Sequence, residues 1–135
     1  MPICIKGSLV YQELFKTDYF SYLDKYLSLY IVSEGNGPFC REISYSVIRL
    51  FAKIILESKD ILTRPADILK EAFAEVNKTM NEVYHDDGKS FDCILSGCSV
   101  CVVLHISNNL YVGNIGNCGA VILRKLPDKD PYLYH

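Results

Sequence analysis

Residues 96–125 read Ser-Gly-Cys-Ser-Val-Cys-Val-Val-Leu-His-Ile-Ser-Asn-Asn-Leu-Tyr-Val-Gly-Asn-Ile-Gly-Asn-Cys-Gly-Ala-Val-Ile-Leu-Arg-Lys, and their pattern is that of consecutive strands. Val100, Val102, Leu104 and Ile106 alternate onto one face, and Cys101, Val103 and His105 onto the other, so both faces of this strand are expected to be covered. Asn108-Asn109 predicts a hairpin turn, because Asn tolerates the left-handed backbone that two-residue turns require. Leu110 to Ile115 returns as a second strand. Gly116-Asn117-Cys118-Gly119 makes the next tight connection, and Ala120 to Leu123 is expected to be a third strand.

Working back toward the N-terminus, Asp86-Asp87-Gly88-Lys89-Ser90 is a polar loop whose adjacent carboxylates read as solvated rather than as a metal site. Before it, Leu69, Phe73, Val76, Met80 and Val83 recur at four- and three-residue spacings, the stripe of a helix packing on a sheet. Thr63 is the expected N-cap of that helix, with Pro65 in its first turn, where a missing N–H is harmless. Phe39 to Ser58 carries Ile43, Val47, Leu50, Phe51, Ile54 and Ile55 on one face and predicts a second amphipathic helix. Leu27 to Ser33 is apolar almost throughout, as a central strand should be, and Glu34-Gly35-Asn36-Gly37-Pro38 breaks it. Tyr11 to Lys25 reads as an aromatic, mixed-charge connection, and Ile3 to Val10 as a first strand with Gly7 at a bulge. The expected order is β-β-α-α-β-β-β, an α+β domain with an antiparallel sheet and a covering helix pair. Residues 1–135 form a single domain in this reading, with residues 126–135 as an irregular tail.

A chain of 135 residues with 50% apolar content supports one modest core. Fourteen basic and sixteen acidic residues leave a formal charge of -2, with no cationic cluster to grip a nucleic acid. No leader-like pattern and no apolar run of about 18 residues is present, so no membrane partner is expected and the reading is intracellular, cytoplasmic or nuclear. Six cysteines raise the question of disulfides or zinc. Cys98 and Cys101 have a metal-like spacing, but residues three apart on a strand face opposite ways, and the cysteines are expected to be reduced and structural.

The order Ser-Gly-x-Ser/Thr, apolar strand, Asn-x-Leu-Tyr-Val, Gly-Asn-x-Gly, Ala-Val-Ile-Leu resembles the metal-dependent Ser/Thr protein phosphatases of type 2C, the PPM family. There the block reads Ser-Gly-Ser-Thr-Ala, then Asn-x-Leu-Tyr-Val-Ala-Asn-Val-Gly-Asp-Ser-Arg-Ala-Val-Leu. The resemblance spans nearly the whole chain but only the first half of the family's α-β-β-α sandwich. It implies a partial sandwich, and a carboxylate-held pair of Mg²⁺ or Mn²⁺ ions whose bound water attacks a phosphoryl group.

The positions that carry that chemistry depart from the family. Its first motif resembles an Arg followed shortly by Met-Glu-Asp, and laid on Gly7 to Leu14 it puts Leu9 where the phosphate-gripping Arg belongs and Leu14 at the final Asp, leaving Glu13. The second, Asp-Gly-His-Gly, is here Glu34-Gly35-Asn36-Gly37. Asn36 stands where the family's proposed general acid would be, and an amide cannot donate a proton to a leaving oxygen at neutral pH. In the third, Gly-Asp-Ser-Arg, Asn117 keeps the shape of the Asp and drops its charge. Cys118 and Arg124 satisfy the Cys-x5-Arg spacing of a cysteine phosphatase, but a strand lies between them where an anion-cradling loop is needed.

The resemblance therefore implies a pseudophosphatase, a protein-binding or regulatory module with no expected cofactor. Its partner would be another protein or a second copy, docked on an open sheet face. One alternative is a fragment or divergent form of an active Mg²⁺- or Mn²⁺-dependent Ser/Thr phosphatase, with Glu34 and Glu13 as residual metal ligands. Another is a structural subunit of a larger assembly.

Overall fold

The structure, a computed structural model, describes residues 15–23, 26–86, 96–124 and 132–134. Its elements in chain order are β1 (Phe15–Leu23), β2 (Leu27–Asn36), α1 (Cys40–Glu57), α2 (Pro65–Asp86), β3 (Gly97–Ile106), β4 (Asn109–Ile115), β5 (Ile122–Arg124) and β6 (Tyr132–Tyr134). The first four strands form one antiparallel sheet in the order β1-β2-β3-β4. The fold is α+β, with the helix pair inserted between the two central strands, as a partial type 2C sandwich requires.

Period-two alternation decides which residues meet the helices. Leu27, Leu29 and Ile31 of β2 stand opposite Ile106, Leu104 and Val102 of β3, and all six are buried against α1 and α2. Helix α1 contributes Ile43, Val47, Ile48, Phe51 and Ile55, and α2 contributes Ile68, Leu69, Ala72, Val76 and Met80. The expected apolar stripes are therefore the core, with Leu50, Ile54 and Phe73 partly buried at its margin; the Val83 side chain lies outside the described set. Each fully buried Leu, Ile, Val or Phe is worth about 1.5–3 kcal/mol, so this one interface dominates stability. The Phe51 and Phe73 rings meet edge to face at 4.7 Å and lock the two helices together. Helix α2 extends the cover onto β4, where Gly113 leaves room for the Phe73 ring: a Cβ there would lie 2.5 Å from it.

Several expectations are corrected. Strand β1 occupies Phe15–Leu23, inside the segment expected to be a connection. An edge strand needs one hydrogen-bonded neighbour, and the β2 register from Phe15↔Asn36 to Leu23↔Ser28 supplies it despite Lys16 and Asp18. The strand expected at Ile3 to Val10 lies outside the described residues. The β3–β4 turn is Ser107-Asn108 rather than Asn108-Asn109, because Ile106 pairs with Asn109; Ser107 takes the positive φ, at 53°. The strand expected at Ala120 to Leu123 is shorter and does not join the main sheet. It is β5, and it pairs with β6 in a separate two-stranded sheet, so the tail expected to be irregular contains a strand.

Thr63 does not cap α2. Its hydroxyl donates back to the Asp60 carbonyl at 3.2 Å, while the first turn of α2 hydrogen-bonds to the Arg64 carbonyl. Arg64 instead pairs with Asp60, Asp67 and Glu71 on the surface, and the Glu71 hydrogen bond heads the causes that raise its guanidinium pKa.

The sheet face away from the helices is only partly covered. On β3 its residues Ser99 and Cys101 are buried and Val103 and His105 half-buried, short of the full cover expected for both faces. Beside them, Val32 on β2 and Leu110 and Val112 on β4 are 43–45% exposed. Among the described residues no helix is long and apolar enough to cross a membrane.

Candidate functional site

Strand register brings the second motif, the Ser-Gly-x-Ser block and the third motif to one end of the sheet. On β2, Ser33 and Gly35 face the helices, since Ser33 is fully buried and a Cβ on Gly35 would collide with the Cys40 carbonyl. Glu34 and Asn36 therefore face the other way. Glu34 pairs across the strands with Ser99, and Gly116, the residue after β4, presses against Ser99 from the opposite side. Glu34, Ser99 and Gly116 thus form a row across three strands, on the face that the helices leave free.

Local chemistry fixes each member of the row. Gly35 is required because α1 begins directly above it, and Gly37 takes φ 88° to turn the chain into that helix. No side chain caps α1, but the Phe39 N–H is held at 3.0 Å by the Ser96 hydroxyl, which ties the start of the helix to the start of β3. Gly97, opposite Asn36, has room for a Cβ 3.7 Å from Asn36 Oδ1. Gly116 has φ 83°, and a Cβ on it would lie 2.6 Å from that of Ser99. The chain therefore folds down over β3. Asn114 Nδ2 donates to the Cys118 carbonyl at 3.0 Å, and the Cys118 thiol donates to Ser99 Oγ at 3.1 Å.

Of the residues singled out in the sequence, Glu34 is half-buried in the row, Asn36 is exposed at its margin, and Asn117 is exposed on the turn beside Gly116. Gly35 and Gly37 shape the strand-to-helix junction. Leu9, Glu13 and Leu14 lie outside the described residues. The contact between Ser99 and Cys118 was missed, although Ser99 closes the Ser-Gly-x-Ser block. Arg124, six residues from Cys118, is in β5, so no loop of the cysteine-phosphatase kind joins the two.

The four described cysteines form no disulfide. Cys98 packs against the helix-side core and Cys101 lies on the other face, as the strand alternation requires. Burial, with a smaller contribution from Cys118 nearby, pushes the Cys101 thiol pKa up.

The donor set can be tested against the two-metal centre that the motifs imply. Mg²⁺ and Mn²⁺ require hard oxygen ligands, with carboxylates to balance their charge. The row offers one carboxylate, Glu34, with the amides of Asn36 and Asn117, the Ser99 hydroxyl and the Cys118 thiol. Among the described residues no three His, Cys, Asp or Glu side chains converge. The described residues of this set do not by themselves fit a metal pair.

The Arabidopsis thaliana protein described as "Probable protein phosphatase 2C 35" is 28% identical over 94 residues, which cover 70% of this chain and 25% of that protein. The chain thus matches about a quarter of its relative's length. The family model described as "Protein phosphatase 2C" matches residues 29–130, from the third residue of β2 to beyond β5. That interval contains the whole row of Glu34, Ser99 and Gly116 and both helices beneath it, and the chain belongs to the protein phosphatase 2C family.

Proposed function

We propose that this chain is a phosphatase 2C domain without a working metal centre of its own, and that it acts as a protein-binding or regulatory module. The observation that carries this reading is the row at the end of the sheet, where Glu34 is flanked by amides and a thiol instead of further carboxylates. With neither a metal-held water nor a proton donor at position 36, the chain's own residues supply no route for phosphoryl transfer. The partner would be a protein with an apolar surface, or a second copy, seated over Val32, Leu110 and Val112. No cofactor is expected, and the setting is an intracellular one in which the cysteines are reduced at rest.

Two measurements test the proposal. Hydrolysis of a phosphopeptide with Mn²⁺ or Mg²⁺ should stay at background. Light scattering should show association of the isolated chain, or a hydrophobic dye should bind it. Metal-dependent turnover that disappears in Glu34→Ala, or a monodisperse monomer that binds no dye, would count against it.

A second reading has its own support. Glu34 keeps a carboxylate in the row, and the match covers only a quarter of the relative. A longer or divergent active phosphatase would use Glu34 together with ligands from elsewhere, Glu13 among them. Calorimetric titration with Mn²⁺ separates the readings: saturable binding lost in Glu34→Ala favours the enzyme, and its absence favours the binding module.

A further inference from the structure

The turn after β4 brings a second thiol against a strand that already carries one. Ser99 and Cys101 are two residues apart on β3, so their side chains share a face and their Cα atoms are about 6.7 Å apart along the strand. The Cys118 thiol already touches Ser99 Oγ at 3.1 Å. A disulfide needs Cα atoms about 4.4–6.8 Å apart, so Cys118 has to slide by roughly one side-chain position to reach Cys101. The shift requires Asn114 to release the Cys118 carbonyl, and beyond that bond Cys118 lies between strands and a Cβ on the neighbouring Gly119 meets nothing within 4 Å.

We propose that Cys118 and Cys101 are a redox pair, closed to a disulfide by a peroxide, which fastens the 116–119 turn onto β3 beside Glu34. Cys118, the more exposed of the two, reacts first. Its thiolate attacks one peroxide oxygen, the O–O bond breaks, and sulfenic acid forms with release of hydroxide, which takes up the proton lost by the thiol. Cys101 then attacks the Cys118 sulfur. The S–S bond forms, the sulfenic S–O bond breaks, and the oxygen leaves as water with the Cys101 proton. Two thiols are oxidised, one peroxide is reduced, and two waters result. The raised pKa of Cys101 slows its own attack by keeping the thiol protonated.

Among the described residues the other thiols are poorly placed to compete. Cys98 points to the opposite side of the sheet, and Cys40 is buried at the start of α1 on that helix side. The new bond would lie beside the motif row, so oxidation would fix the shape of the surface that carries Asn117.

The test uses the full chain, treated with a small excess of hydrogen peroxide, blocked with an alkylating agent, digested and mapped by mass spectrometry without reduction. A Cys101–Cys118 linked peptide should dominate, disappear after dithiothreitol, and be lost in Cys118→Ser and in Cys101→Ala. The same treatment in concentrated urea should give mixed pairings, which shows that the fold selects the native one. Cys118 driven to sulfinic acid without a linked peptide, or a native product that joins either thiol to another cysteine, would overturn the proposal.

Discussion

The hydroxyl of Ser44 on α1 donates to the carbonyl oxygen of Ser33 on β2 at 3.3 Å, while the Ser33 hydroxyl is itself buried with no partner among the described residues. The pair gives opposite expectations for two similar substitutions. Ser44→Ala removes a bond to a buried carbonyl and should lower unfolding free energy by about 1 kcal/mol. Ser33→Ala removes an unsatisfied oxygen and should be neutral or stabilising by up to about 1 kcal/mol. Urea denaturation of both variants checks the order, and a larger loss in Ser33→Ala would mean that its hydroxyl has a partner, such as a buried water.

The junction of β2 and α1 should tolerate nothing beyond hydrogen at position 35. Gly35→Ala drives a methyl group into the Cys40 backbone, which cannot move without unseating α1. Overpacking of this kind costs about 1–3 kcal/mol, and the rigidity of the obstacle puts this variant at the upper end or beyond. Gly119→Ala meets open space and should melt within a degree or two of the parent. Equal melting temperatures for the two variants would contradict the close approach.

Thr63→Ala separates the observed α2 start from the expected one. A lost N-cap typically costs about 1 kcal/mol. With the Thr63 hydroxyl turned back to Asp60 in an exposed turn, the loss should be no more than about 0.5 kcal/mol by thermal or urea melting.

Cys101 sets an alkaline limit. Burial raises its pKa, so the folded chain holds the thiol proton more tightly than the unfolded chain does. The resulting stability is fully present below the unfolded thiol pKa and is lost as pH rises through the raised, folded value. Melting temperatures measured under reducing conditions should fall over that alkaline range, and the fall should be shallower in Cys101→Ala.

The core was legible in the sequence because its signals were periodic and local. Ile43 to Ile55, Leu69 to Met80 and Val100 to Ile106 each displayed a helical or strand repeat, and each packs on the face it indicated. Strand β1 was not, since Phe15-Lys16-Thr17-Asp18 has no clean alternation, and its pairing is decided by β2 rather than by its own residues. The α2 cap failed for a related reason: a Thr before a Pro matches the pattern, but the rotamer that bonds Asp60 is set by the preceding turn. Of the candidate site, Glu34, Asn36 and Asn117 were identified from motif spacing. The Ser99–Cys118 contact depends on the direction taken after Gly116, which only the folded chain reveals.

The two central strands, β2 and β3, are joined by no hairpin. Their pairing from Leu27↔Ile106 to Asn36↔Gly97 is reached only after the whole helix pair has been traversed, and the Phe39 to Ser96 bond spans 57 positions of chain. Closing so long a loop is entropically slow unless the intervening residues are already compact. The expected order is therefore helices first, with α1 and α2 docking through Phe51 and Phe73 to bring the strand ends within reach. Substitutions at that aromatic contact should slow refolding more than they speed unfolding, whereas changes in the β3–β4 hairpin should do the reverse.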